Sequence, residues 1–217
     1  MSKHNLLDEM IAQTKLSKKT TDKQQKIVET AIKMFAEKGY SNTSTSEIAK
    51  AAGVAEGTIF RHYGTKDNLL LSVILPFIKE ALPTMAENVF NEIMQVHILS
   101  FEDFLRALLK NRIEFVNGNK EIFQILVKEV LYKEELRKEI APYFTENVLS
   151  RIIIVIEKYK ESGELVELPS NTILRMLFTL IGGYLVSRFV LQTDRSNINE
   201  EEEVENIITF IMNGIRK

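Results

Sequence analysis

Arg61, His62 and Lys66 stand close together behind Gly57 and Thr58, with Phe60 between them and Ala55 just ahead. Side chains of these types do recognition chemistry, not bond-making. A guanidinium such as that of Arg61 can read guanine bidentately or pair with phosphate, and hydroxyl and imidazole groups can reach backbone oxygens. Small residues at Ala55 and Gly57 let a helix start approach a groove closely. Lys66 falls where a helix begins, so that its ammonium and the unpaired first-turn amides together can grip a phosphate.

The elements that must hold these groups are punctuated clearly. Ser44 and Glu47 have capping-box spacing, so a helix starts there. Ile48, Ala49 and Ala52 give it a thin apolar stripe of small side chains, and Gly53 ends it. After Val54, a second short helix is expected from about Ala55 to Arg61, with Ile59 inward. That helix is too short to stand alone and makes sense as a probe held by its neighbours. Thr65 caps the next helix. An earlier helix, Asp22 to Lys38, presents Ile27, Ala31, Met34 and Phe35 on one face as support.

Taken together these residues resemble the N-terminal DNA-binding domain of the TetR family of bacterial transcriptional regulators. The likeness runs through Lys26-Ile27-Val28, Ala31, Met34, Phe35, Gly39-Tyr40, Thr43-Ser44, Ile48-Ala49, Ala52-Gly53-Val54, Gly57-Thr58-Ile59-Phe60, Tyr63 and Lys66-Asp67-Asn68-Leu69. The chain departs from the family pattern at Ala55, where a serine or threonine cap is common, at Phe60, where tyrosine is frequent, and at Gly64, where a basic or polar residue is usual. The resemblance implies Ser44, Thr45, His62 and Lys66 as backbone-positioning contacts to double-stranded DNA, with Gly57, Thr58 and Arg61 nearest base edges and Phe60 stacking on sugar or a thymine methyl. It also implies an all-α fold: an N-terminal three-helix reading domain followed by a helical ligand-binding and dimerisation domain.

Composition fits this arrangement. The 217 residues suit a small head and a larger second domain, and the net charge of −2 is unevenly spread. Residues 1–70 carry 11 Lys and Arg against 8 Asp and Glu, whereas the remainder carries 17 against 22. The sign is right for a head that meets phosphate. The absence of cysteine rules out disulfides and thiolate metal sites and fits a reducing, cytoplasmic setting. The longest uncharged run, Met176 to Ser187, falls short of the roughly 20 apolar residues that cross a bilayer.

Three regions are expected: an extension over 1–20, whose lysines are either a tail or an arm adding phosphate contacts; a reading domain over 21–67; and a helical domain over 68–217. The periodicity predicts helices at roughly 66–82, 84–95, 101–117, 119–131, 134–161, 170–192 and 200–215. Kinks or breaks are expected at Pro76, Pro83 and Pro142. In the second domain, aromatics at helical spacing read first as core. The family resemblance adds a cavity for a small, mainly hydrophobic effector, with Phe77, Phe104, Asn111, Phe115, Gln124, Tyr159 and Phe178 as candidate lining. Gly182, Gly183 and Ser187, set among large apolar residues, call for close helix contact to offset roughly 1 kcal/mol per glycine. With Ile208 and Ile211 on the last helix they are the candidate homodimer interface. The run Glu200–Glu203 reads as helix-start charge behind an Asn199 cap.

His4, His62 and His97 are too scattered for a metal site, and no phosphate-loop, dinucleotide or nucleophile-elbow motif is present, so neither enzyme activity nor a cofactor is expected. The leading expectation is a ligand-responsive regulator, a repressor that binds a palindromic operator as a homodimer and is released by its effector. The helix from Lys66, through Leu70, Ile74 and Phe77, would carry the signal. The alternative is a helical interaction protein or hydrophobic-ligand carrier whose N-terminal motif is structural.

Overall fold

The computed structural model describes residues 22–95, 100–191 and 199–216, apart from the side chains at 22, 73, 76–78, 80–82, 94 and 95. The extension over 1–20, with His4, and the loop holding His97 therefore lie outside the described residues, as does the Phe77 side chain. The described residues form ten α-helices: α1 (Asp22–Lys38), α2 (Thr45–Ala52), α3 (Glu56–Tyr63), α4 (Lys66–Gln95), α5 (Phe101–Gly118), α6 (Lys120–Tyr132), α7 (Glu134–Phe144), α8 (Ser150–Glu161), α9 (Ser170–Val186) and α10 (Glu200–Ile215). Among them the sole β pairing is an isolated bridge between Leu165 and Arg216. The fold is all-α.

Two compact units divide the chain, and not at residue 67. The first runs to Ala81 and takes in Gly118–Glu129; the second holds Leu82–Asn117 and Val130–Lys217. So α4 contributes to both by sequence, and most of α6 belongs with the reading helices.

In the first unit the apolar stripes do what their spacing predicts. Ile27, Ala31, Ile32 and Phe35 of α1, Ile48, Ala49 and Ala52 of α2, Ile59 of α3 and Leu69, Leu70 and Ile74 of α4 are all buried. Met34 is only half-buried, whereas Ile32 is buried. Each large aliphatic side chain so buried contributes about 1.5 to 3 kcal/mol. Leu70 and Ile74, expected to reach the second domain, belong to the first unit.

The prolines behave differently from one another. The expected break between 82 and 84 does not occur, since α4 is one helix of 30 residues through Pro76 and Pro83. Pro142 sits inside α7, and just after it the backbone widens into a π-turn at Thr145–Leu149 before α8. Proline lacks the amide that would complete the ladder and crowds the preceding turn, and a π-turn is one way a helix absorbs such a defect.

In the second unit Phe101, Phe104, Leu105 and Leu109 of α5, Ile156 of α8, Ile173 of α9 and Val204 of α10 form the inner core. A second π-turn at Ser187–Leu191 prolongs α9 and carries Arg188, which is buried. Its guanidinium pairs with Glu200 at 2.6 Å and Glu203 at 3.1 Å. The Tyr184 hydroxyl donates to the same Glu203 at 2.7 Å, and burial, foremost, pushes that phenol up to about 12. The acidic run thus does more than favour a helix start, although Asn199 does cap α10 by accepting from the Glu202 amide.

Candidate nucleic-acid interface

The start of α2 is fixed by the capping box. The Ser44 hydroxyl accepts from the Glu47 amide at 3.2 Å, and the Glu47 carboxylate accepts from the Ser44 amide at 2.9 Å. These bonds, with Lys38 at 3.2 Å, lower the Glu47 carboxyl to about 2. Gly53 then leaves the helix at φ +69°, in the left-handed region where glycine carries no steric penalty.

The probe helix α3 follows at once. Ala55 is its N-cap and makes no side-chain cap bond, so the family departure at this position costs α3 a stabilising group. Part of the loss is met from α2: the Thr45 hydroxyl donates to Glu56 at 2.8 Å, tying the two helix starts together. Ile59 is buried, Thr58 is partly covered, and Gly57, Arg61 and His62 are exposed. A Cβ at Gly57 would meet nothing within 4 Å, so that helix start is open to an outside surface. Phe60 is 50 % exposed, a large apolar ring left half open to the surroundings. Gly64, φ +74°, closes α3 by donating to the Phe60 carbonyl.

A shallow recess of about 530 Å³ opens beside the probe, lined by Ser41, Asn42, Thr43, Ser44, Thr45, Glu47, Phe60, Gly64, Thr65 and Lys66. The first turns of both α2 and α4 border it, and helix N-termini favour anions. Ser44, Thr45, Phe60 and Lys66 are therefore brought together on one surface, with Arg61 and His62 exposed on the same helix as Phe60. Thr65 caps α4 as expected, accepting from the Asn68 amide at 3.0 Å.

Lys66 has a second task that its position in the sequence does not reveal. Its ammonium donates to the carbonyls of Tyr40 and Thr43, both at 2.9 Å, and stands 4.1 Å from the centre of the Tyr40 ring. Two of three donors are thus committed to holding the turn after α1, leaving one for a phosphate. The Tyr40 hydroxyl donates to Asp67, and burial together with that bond drives the phenol far above its ordinary value. Burial also acts to raise the Asp67 carboxyl, but the Lys128 and Tyr40 bonds outweigh it and hold it below the usual range. From α6, Lys128 reaches Asp67 at 2.9 Å, and Glu121 accepts from the Tyr40 amide at 2.7 Å. Nothing local marks Glu121 or Lys128, since each acts across more than 60 residues of chain.

The residues expected to line a ligand cavity do not share one environment. Gln124 belongs to the first unit, and Phe104, Asn111, Phe115, Tyr159 and Phe178 to the second. Phe104 and Tyr159 are buried core residues, each packed against the Phe101 ring, tilted at 5.8 Å and edge-on at 5.6 Å between ring centres. Asn111 donates to Glu92 at 3.4 Å and accepts from Arg112, which also lies over the Phe115 ring. Phe178 is exposed and packs edge-on against Phe144 at 5.9 Å.

Of the expected interface residues, Ile208 and Ile211 are core, 1 % and 2 % exposed, because the apolar stripe of α10 faces its own unit. The outward large apolar groups on these helices are Phe210 on α10 and Met176, Phe178 and Leu180 on α9. Gly183 is exposed and Gly182 and Ser187 are partly covered. A Cβ at either glycine meets nothing within 4 Å, so no close helix crossing among the described residues explains them. Together with the π-turn, α9 makes a 22-residue segment, Ser170–Leu191, that by length and composition alone could cross a membrane; one third of it is buried. The helix expected at 170–192 is therefore present, and it is longer than the uncharged run Met176 to Ser187 within it. Arg188 within it is engaged in the ion pairs to α10.

Residues 27–73 match the family model described as bacterial regulatory proteins, tetR family. The chain is 25 % identical over 169 residues to the probable HTH-type transcriptional regulator YttP of Bacillus subtilis, covering 76 % of this chain and 78 % of that protein. Other curated relatives match over a shorter stretch, the chain spanning 18 % of one and 40 % of another. Among solved structures, a regulator from Saccharomonospora viridis in complex with choline superposes with a TM-score of 0.60 at 19 % identity, over 91 % of this chain and all of that one. The regulator FadR of Bacillus subtilis, in complex with stearoyl-CoA, gives 0.56 at 21 % identity, over 87 % and 97 %. These two likenesses carry the fold.

Proposed function

The chain belongs to the TetR family of bacterial transcriptional regulators, and from that premise we propose that it is a repressor that binds a palindromic operator as a homodimer and lets go when a small molecule binds its second unit. The observation that carries the DNA-binding part is the exposed face of α3: Gly57, Phe60, Arg61 and His62 are exposed on a helix beside a recess bordered by two helix N-termini. Ser44, Thr45, His62 and the remaining donor of Lys66 position the phosphate backbone, and Gly57, Thr58 and Arg61 face base edges.

Homodimerisation is supported by the apolar groups left outward on α9 and α10, among them Met176, Leu180 and Phe210, and by the uncovered Gly183 of α9. Two probes related by a two-fold axis must then enter successive major grooves about 34 to 36 Å apart. The effector in this reading is small and mainly hydrophobic; that small molecules are held by proteins of this fold is supported by two structural neighbours, one in complex with choline and the other with stearoyl-CoA. A cytoplasmic, non-enzymatic role goes with this reading.

Selection of bound duplexes from a random DNA pool by the full chain tests it. The expected product is an inverted repeat with half-sites about one helical turn apart. Failure to enrich any sequence would leave the helical interaction or carrier protein as the better account.

A further inference from the structure

We propose that Glu56, the first residue of α3, reads a base in each half-site by accepting a hydrogen bond from an exocyclic amine in the major groove, cytosine N4 foremost. This rests on the DNA-binding reading above and adds to it a specific preference.

An acidic side chain is out of place on a surface meant for phosphate. Ionised, it can only accept hydrogen bonds, and phosphate oxygens repel it. Among groups in the major groove, cytosine N4 and adenine N6 are the donors, and adenine sets an acceptor, N7, beside its amine. A carboxylate there is compatible with cytosine and poorly compatible with the other bases.

The geometry prepares the carboxylate for this. The N-terminal residues of a probe helix are those that reach base edges, and Glu56 is the first of α3. Phe60, four residues on and so in the same row of the helix, is half exposed and borders the recess. Thr45 also borders the recess, and its hydroxyl donates to one carboxylate oxygen at 2.8 Å. That bond orients the group and leaves the second oxygen without a partner among the described residues. No cation neutralises Glu56 among them either. Next to it Gly57 has no side chain to block access.

The test is a duplex selection with the full-length wild type, Glu56→Gln and Glu56→Ala, after circular dichroism has shown equal helix content. Glutamine keeps an acceptor for Thr45 and adds donors, so it separates base reading from mere tethering. Wild type should enrich cytosine at one position per half-site, and replacing that base should weaken binding about 5- to 20-fold, towards the low end for a mismatched contact. Glu56→Gln should move the preference towards adenine, which glutamine can bond bidentately. Glu56→Ala should lose the preference there and keep it elsewhere. An unchanged base preference in both variants would overturn the proposal, even if removal of the negative charge raised affinity for all DNA. A wild type that enriches no sequence would overturn the regulator reading and this inference together.

Discussion

Replacing Lys66 by methionine keeps most of the side chain and removes its charge and donors. The ammonium makes two 2.9 Å bonds to the Tyr40 and Thr43 carbonyls and lies 4.1 Å from the Tyr40 ring centre. Hydrogen bonds from a charged donor contribute about 1.5 to 3 kcal/mol each, and an exposed cation–π contact about 0.5 to 1. Lys66 is only half-buried, so water can replace part of each bond, and the terms are not additive. A loss of about 2 kcal/mol of unfolding free energy is therefore expected, some 30-fold in the folded-to-unfolded ratio. Urea unfolding followed by circular dichroism measures it. DNA titrations at several salt concentrations separate the second role: loss of one phosphate contact should lower the slope of log affinity against log salt by about 0.9. A stability loss below about 0.5 kcal/mol would refute the reasoning, since the turn would then hold without its lysine.

Acid should loosen the first unit through Glu47. Its folded value of about 2 lies below the ordinary glutamate value of 4.5, so its contribution is fully present above about 4.5 and is lost as pH falls towards 2. Glu47→Gln should flatten that acid limb in a pH titration of stability; a limb of the same size would assign it to other carboxylates. Arg188→Met removes a buried cation from two carboxylates and a phenol and should cost about 2 kcal/mol, discounted because Glu200 and Glu203 are part-exposed; an unchanged urea midpoint would contradict this. Leu180→Glu with Phe210→Glu should convert a dimer into a folded monomer by sedimentation, and a dimer that persists would place the interface elsewhere. Gly53→Ala forces a side chain into φ +69° and should cost about 1 kcal/mol, read from the thermal midpoint.

Much of the reading head was legible because its signals are local. Ser44 and Glu47, Gly53, and Thr65 with Asn68 act within a few residues of one another, so spacing alone identifies the bonds. Asp22–Lys38 matches the expected helix at both ends. The second task of Lys66 was hidden, because its partners Tyr40 and Thr43 precede it by 26 and 23 residues. Ile208 and Ile211 could not be placed from periodicity either. A stripe shows that a face is apolar but not whether its own unit or a second copy covers it.

Glu121 and Lys128 give the first unit a late arrival. The turn at Tyr40 and the carboxylate of Asp67 bond to residues made only after another 40 to 47 have followed Ala81. At about 5 to 20 residues per second, a ribosome needs roughly 2 to 10 s for that stretch. Throughout that interval the nascent head lacks its α6 partners. A gene fragment ending at Ala81 would likewise encode the probe helix without the groups that fasten the turn beneath it.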